Sequence, residues 1–241
     1  MVFYASVTEN NEIVQKAKEE FRNGIVIPRE RIEDYIQEAD AILIGPGMVR
    51  AEGEFQISNF KFQISNLEDV NKIENEGLQT RALTKYLLKK YPHKKWVIDA
   101  GALQMMDPEW LEPLKGNVIL TPHPQEFERV FGKEFQISNF KFQISNIAEE
   151  IAKKYNCTLL LKGEKDIVCT SDRCVEISGG NAGMTKGGTG DVLAGLVAAL
   201  ACKNELFLAA TAGSYINKKA GEAIFEKVGY YFNSSDLVNE I

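Results

Sequence analysis

The chain has 241 residues, 44% hydrophobic and 26% charged, the balance of a soluble globular protein and not of a disordered, collagen-like or coiled-coil chain. Lys and Arg number 28 against 34 Asp and Glu, a formal charge of −6, which repels phosphate backbones and disfavours nucleic acid or an anionic membrane as a partner. The longest nearly unbroken apolar run, Val192 to Cys202, is too short to span a bilayer, and no leader of charged, apolar and small residues opens the chain. The expected location is therefore the cytoplasm. Four cysteines without a CxxC pair, and only two histidines, argue against a zinc site or a disulfide framework, so reduced thiols are expected.

In chain order, Val2–Val7 reads as a strand, Asn11–Arg22 as a helix, and Pro28 as the opening of a helix with Ile32, Tyr35 and Ile36 on one face. Ala41–Ile44 is a buried strand running into Gly45-Pro-Gly47. Thr80–Lys90 is an amphipathic helix carrying Leu83, Leu87 and Leu88 together. Trp96–Asp99, Asn117–Leu120 and Thr158–Leu161 are further buried strands with helical patterns between them. Ile167–Ile177 reads as a hairpin turning at Ser171-Asp172, and helices follow at Asp191–Cys202, Leu206–Lys227 and Ser235–Glu240. Apolar strands separated by helices predict an α/β fold, three layers around a mostly parallel central sheet. Ligands in such sheets bind at the strands' carboxyl ends, which here carry Gly45-Pro-Gly47, Asp99, Thr121-Pro-His-Pro124 and Lys162-Gly163. No linker divides the chain, so residues 1–241 read as one domain.

Two identical 13-residue segments, EFQISNFKFQISN, occupy 54–66 and 134–146. Identity without drift, 80 residues apart, is unlike a stacked structural repeat. A duplicated binding arm is one reading. The more economical one is a mobile DNA repeat translated in frame and tolerated in surface loops, where insertions cost little closure entropy. The Phe/Ile alternation within each copy also suits strand pairing.

Seven of the 19 glycines fall between Gly179 and Gly195. Their centre is Lys186-Gly-Gly-Thr-Gly-Asp191, directly before the most apolar helix. Glycines ahead of a helix let N–H groups converge where the helix dipole is positive, forming an anion cradle at Gly187, Gly188, Thr189 and Gly190. Asp191 reads either as a helix cap or as a general base. Beside a phosphate cradle a carboxylate caps poorly, and it suits removal of a proton from a hydroxyl that attacks phosphorus. The turn is neither GxGxxG nor GxxxxGK[ST].

The stretch Asn181-Ala-Gly-Met-Thr-Lys-Gly-Gly-Thr-Gly-Asp-Val-Leu-Ala-Gly195 closely resembles the signature of the ADP- or ATP-dependent NAD(P)H-hydrate dehydratases, members of the ribokinase-like superfamily. Gly45-Pro-Gly47, Asp99-Ala-Gly-Ala-Leu103, Thr121-Pro-His-Pro-Gln-Glu-Phe127, Leu161-Lys-Gly163 and Ser235-Asp-Leu237 follow in the expected order. The resemblance implies a ribokinase-like fold and a repair reaction: the hydroxyl of hydrated NADH or NADPH (NADHX, NADPHX) is phosphorylated from ADP or ATP, and phosphate is then eliminated. It implies Asp191 as the catalytic residue, with Gly45, Gly47, His123 and Asp191 at the substrate. Lys162, Gly163, Glu164, Lys165, Asp166, Gly187, Gly188, Thr189 and Gly190 are implied at the nucleotide. Mg²⁺ is implied on the phosphates, without a dedicated ligand cluster. The resemblance leaves room for a homo-oligomer and for an NAD(P)H-hydrate epimerase acting in the same pathway.

On the residues alone, His123 could instead serve turn geometry, Lys162 could be solvated, and Asp99 could either orient a metal-bound water or close a turn. Departures from the family pattern are Asp166 in place of a threonine, Gln125 in place of a glycine and Asn217 in place of a histidine. Family members also open with a Gly/Ala-rich βα segment, and this chain is expected to begin beyond it. The alternatives are a kinase of the same fold acting on a vitamin-precursor alcohol or sugar, and an inactive remnant.

Overall fold

The computed structural model describes residues 1–17, 24–51, 64–135 and 140–241, with only the backbone described at 133–135 and 140–143. These residues form two compact units, Met1–Ala39 and Asp40–Ile241.

In the first unit, strands β1 (Val2–Tyr4) and β2 (Gly24–Val26) pair in parallel, joined through helix α1 (Thr8–Lys16). Asn11 holds this crossover. Its carboxamide oxygen accepts the Ser6 N–H at 2.9 Å, and its amide group donates to the Ile27 carbonyl at 3.1 Å. Pro28 opens a 3₁₀ turn (Arg29–Arg31) leading into α2 (Ile32–Glu38), whose Ile32 and Ile36 are buried, matching the predicted apolar face.

The second unit is built on a six-stranded sheet. Strands β3 (Ala41–Ile44), β4 (Lys95–Ile98), β5 (Val118–Leu120) and β6 (Thr158–Leu161) run parallel, and β7 (Asp166–Cys169) and β8 (Cys174–Ile177) are antiparallel. The sheet order follows the chain, β3 to β8. Helices α3 (Leu67–Asn71), α4 (Glu76–Lys90), α5 (Ala100–Met105), α6 (Pro124–Phe135) and α7 (Phe140–Tyr155) connect the parallel strands. Helices α8 (Thr189–Ala201), α9 (Leu206–Val228) and α10 (Ser234–Glu240) follow the hairpin.

The central strands β4, β5 and β6 are mainly apolar because both their faces are covered. Val97, Ile119, Leu160 and Val168 join Leu193 and Val197 of α8 and Ala209 and Ala210 of α9 in one buried cluster. The alternating residues Trp96, Ile98, Leu120, Leu159 and Leu161 point to the other face and are equally buried. Two helical layers around one mostly parallel sheet give the three-layer α/β architecture read from the sequence.

Two expectations are corrected. Cys169 and Cys174 are disulfide-bonded across the β7–β8 hairpin, where reduced thiols were expected. The rule of thumb fails because facing positions on a tight antiparallel hairpin bring the two Cα atoms within 4.2 Å, a proximity that CxxC spacing does not test. Cys157 and Cys202 stay free. The described parts of the second 13-residue segment are helical, not loop or strand: Glu134 and Phe135 end α6, and 140–146 form the first turns of α7. Fused to the residues after it, Phe140, Ile144, Ile147 and Ile151 recur at three and four residues, a helical period. Of the first copy, 54–63 lie outside the described residues, and Asn66 is the N-cap of α3, accepting the Asp69 N–H at 3.0 Å.

Candidate functional site

The carboxyl ends of β3 to β6 and the N-terminus of α8 meet at one cleft. Gly45, just after β3, has φ +123°, and a β-carbon there would lie 1.8 Å from the Asp99 carbonyl oxygen. Only glycine lets the β3 turn lie flat against the end of β4. The Gly101 N–H donates to the Gly45 carbonyl at 3.2 Å, closing that contact. Gly47, also left-handed at φ +72°, has open space where its side chain would be.

Asp99 ends β4 and is 1% exposed, a burial that a carboxylate tolerates only with a partner. Lys162, at the end of β6, supplies it: its Nζ lies 2.9 Å from Asp99 Oδ1 and 3.9 Å from Glu126 Oε2. Glu126 is buried too. Its Oε1 accepts from Gln104 Nε2 at 2.9 Å, and Gln104 Oε1 accepts from Arg50 at 3.0 Å. A chain of charged and amide groups thus crosses the ends of β4, β5 and β6, with one ammonium between two buried carboxylates.

His123 and Glu126 cap α6 reciprocally. The His123 N–H donates to Glu126 Oε2 at 2.9 Å, and the Glu126 N–H donates to His123 Nδ1 at 3.3 Å. Nδ1 is therefore the acceptor, and Nε2, on a side chain 43% exposed, lies 3.5 Å from Glu126 Oε1. The turn reading of His123 and its exposed ring coexist.

The glycine turn closes the other wall. Gly188, the N-cap of α8, has φ +87°, with Ser234 Oγ 2.8 Å from where a β-carbon would stand. The Thr189 hydroxyl is turned inward, against the carbonyls of Met184 at 2.6 Å and Lys186 at 2.8 Å, so it fixes the turn. The Thr189 N–H is taken by the Lys186 carbonyl at 3.3 Å, which leaves the Gly190 and Asp191 N–H groups of this helix start for a ligand. A β-carbon on Gly190 would lie 3.4 Å from Lys162 Nζ, which sets the two walls side by side. Asp191 stands at the mouth of the cleft. Its carboxyl is pushed above the usual carboxylate range, first by partial burial and then by the negative charges of Asp99 and Glu126, while Lys162 pulls the other way. An open groove of about 550 Å³ runs beside it, bordered by Gly188, Asp191, Val192, Leu196, Ser234 and Val238.

A carbohydrate-kinase-type family model, described as NAD(P)H-hydrate dehydratase, matches residues 3–241. The chain belongs to the NAD(P)H-hydrate dehydratase family. It is 37% identical over 200 residues to the bifunctional NAD(P)H-hydrate repair enzyme of Methanocaldococcus jannaschii, a match covering 80% of this chain and 37% of that protein. It is 42% identical over 146 residues to the ADP-dependent (S)-NAD(P)H-hydrate dehydratase of Nitrosopumilus maritimus, covering 60% of this chain and 49% of the relative. The chain thus matches half or less of the length of these relatives. The fold is shared with the ADP/ATP-dependent NAD(P)H-hydrate dehydratase of Bacillus subtilis co-crystallized with ATP/Mg²⁺ (TM-score 0.67, 21% identity, 95% of this chain and 74% of that one).

The structure brings Gly45, His123, Lys162, Gly188, Gly190 and Asp191 to the walls of this cleft. Gly163, Glu164 and Lys165 form an exposed turn after β6. Asp166 does not reach the surface. Its Oδ1 accepts the Gly163 N–H at 2.9 Å and its Oδ2 the Ser214 hydroxyl at 2.7 Å, so it holds the turn from below. Reading by motif missed Glu126, Gln104 and Ser214. The His-x-x-Glu spacing of a reciprocal cap marked Glu126, but no local signal marks the other two.

Proposed function

We propose that the chain is a nucleotide-dependent NAD(P)H-hydrate dehydratase, returning NADHX or NADPHX to NADH or NADPH. The observation that carries this reading is the pairing of Asp191, an open carboxyl of raised pKa, with the free N–H groups of the same helix start. A hydroxyl placed there loses its proton to Asp191 as its oxygen attacks the terminal phosphoryl of ADP or ATP, whose oxygens the Gly187–Gly190 turn receives. Loss of phosphate, with a proton from the neighbouring ring carbon, restores the ring double bond. The exposed His123 ring and the backbone at Gly45 and Gly47 border the nicotinamide end. Lys162, the Gly163–Lys165 turn and the groove floor of Val192, Leu196 and Val238 border the nucleotide, with Asp166 acting beneath them.

The residues fit a Mg²⁺ ion carried in on the nucleotide phosphates. Among the described residues no group of three or more His, Cys, Asp or Glu is placed to hold a metal, and Asp99 and Glu126 are already engaged by Lys162 and Gln104. Those two carboxylates would hold the ion through its waters, and when bound it offsets phosphate charge. A cytoplasmic setting, action as a single domain over 1–241, self-assembly and a companion epimerase belong to the same reading.

The test is incubation with hydrated NADH, ADP or ATP, and Mg²⁺. Return of NADH absorbance with release of inorganic phosphate is expected. No NADH, but phosphorylation of a thiazole alcohol or a sugar, would assign the chain to the kinases of this fold.

A further inference from the structure

Lys218 lies on α9 and is 6% exposed. A buried ammonium needs its three protons received. Here they meet three backbone carbonyls from two separate turns: Gly163 at 3.2 Å and Glu164 at 3.1 Å from the turn after β6, and Gly179 at 3.3 Å from the segment after β8. Asp166 Oδ1 balances the charge at 3.4 Å. The first turn carries Lys162. The second leads through Ala182–Thr185 into the glycine turn and Asp191.

We propose that Lys218 is a positioning residue that sets the spacing between the two walls of the nucleotide site by tying the Gly163-Glu164 turn to Gly179. This rests on the reading of those turns as the nucleotide site. Carbonyl oxygens repel one another, and three of them converge on one point only around a cation. Without the ammonium, the turns lose the centre that draws them together. The effect falls on nucleotide binding, since Lys218 holds the two turns by their carbonyls and Asp191 keeps its own helix.

The experiment measures nucleotide Kd and steady-state kinetics with hydrated NADH for the full chain and for Lys218→Met, Lys218→Arg and Lys218→Ala. Lys218→Met, similar in length but uncharged, is expected to raise the Kd and KM for ADP or ATP tenfold or more while kcat changes less than threefold. Ethylammonium, which fits the space vacated in Lys218→Ala, is expected to restore nucleotide affinity, whereas tetramethylammonium at equal ionic strength is not. Wild-type nucleotide affinity in Lys218→Met, or equal rescue by both amines, overturns the proposal. If Lys218→Met fails to fold, Lys218→Arg decides. Its wider fork keeps the charge but spreads the turns, so weakening of nucleotide binding by threefold or more is expected, and an unchanged Kd overturns the proposal. A wild-type protein that binds no nucleotide contradicts the functional reading itself, a result separable from all of these.

Discussion

At the sheet side of the cleft, Asp99, Glu126 and Lys162 find opposite charges or donors within the protein; at the helix side, the Asp191 carboxylate and the N–H groups of Gly190 and Asp191 are left for a ligand. The sheet side is buried and closed upon itself, so its charges are fixed before any ligand arrives, which is what lets them act without reorganisation. The helix side keeps part of its hydrogen-bonding capacity unspent and holds one carboxyl in a form that takes up a proton more readily than usual. One wall supplies a rigid field, and the other supplies the reactive groups.

Lys162→Met tests the rigid wall and carries the largest effect on stability. It leaves Asp99 buried without its cation, which costs about 3–5 kcal/mol. Chemical denaturation checks this, and a loss under about 1 kcal/mol would show that the wall is not closed as described. Thr189→Val tests whether the helix wall is held from behind. Two inward carbonyls lose their donor, at about 1–3 kcal/mol, with the turn loosened. Nucleotide affinity should fall along with Tm, and unchanged affinity would separate the hydroxyl from the cradle.

The smallest effect has the opposite sign. A carboxyl whose folded-state pKa lies above its unfolded value binds its proton more readily in the folded protein, so its ionised form lowers stability at neutral pH. Asp191→Asn removes that cost. Its Tm at pH 7 should exceed that of the wild type by a small margin, and the gap should shrink as pH falls through the carboxyl's own titration. A lower Tm at pH 7 would place Asp191 with the structural charges. For the same reason, wild-type turnover should fade on the acid side at a pH above the ordinary carboxylate value of about 4.

The central sheet was legible because β3, β4, β5 and β6 are short, β-branched and apolar, so propensity and burial agree. Ala41–Ile44 and Thr158–Leu161 match residue for residue. The helix at Ala100–Met105 was hidden by its length and its glycine. The 13-residue segment shows where local pattern fails. In one copy Asn66 caps a helix, while Asn146, at the same place in the other, lies inside α7, and only the residues that follow decide between them. In the site, the glycine turn and His123 stood out as motifs. The charge pairing of Asp99 with Lys162, 63 residues apart, required the fold. The disulfide has its own check: thiol titration of the denatured, unreduced protein should find two free cysteines, and in the native protein Cys157 should stay unreactive, its thiol pushed up to about 12 by burial.

The most direct test is Asp191→Asn assayed for turnover of hydrated NADH and, on the same protein, for ADP or ATP affinity. The account predicts that turnover drops by about 10²–10⁴-fold while nucleotide Kd stays within about threefold of wild type. Turnover near the wild-type rate, or loss of nucleotide binding in step with turnover, would contradict it.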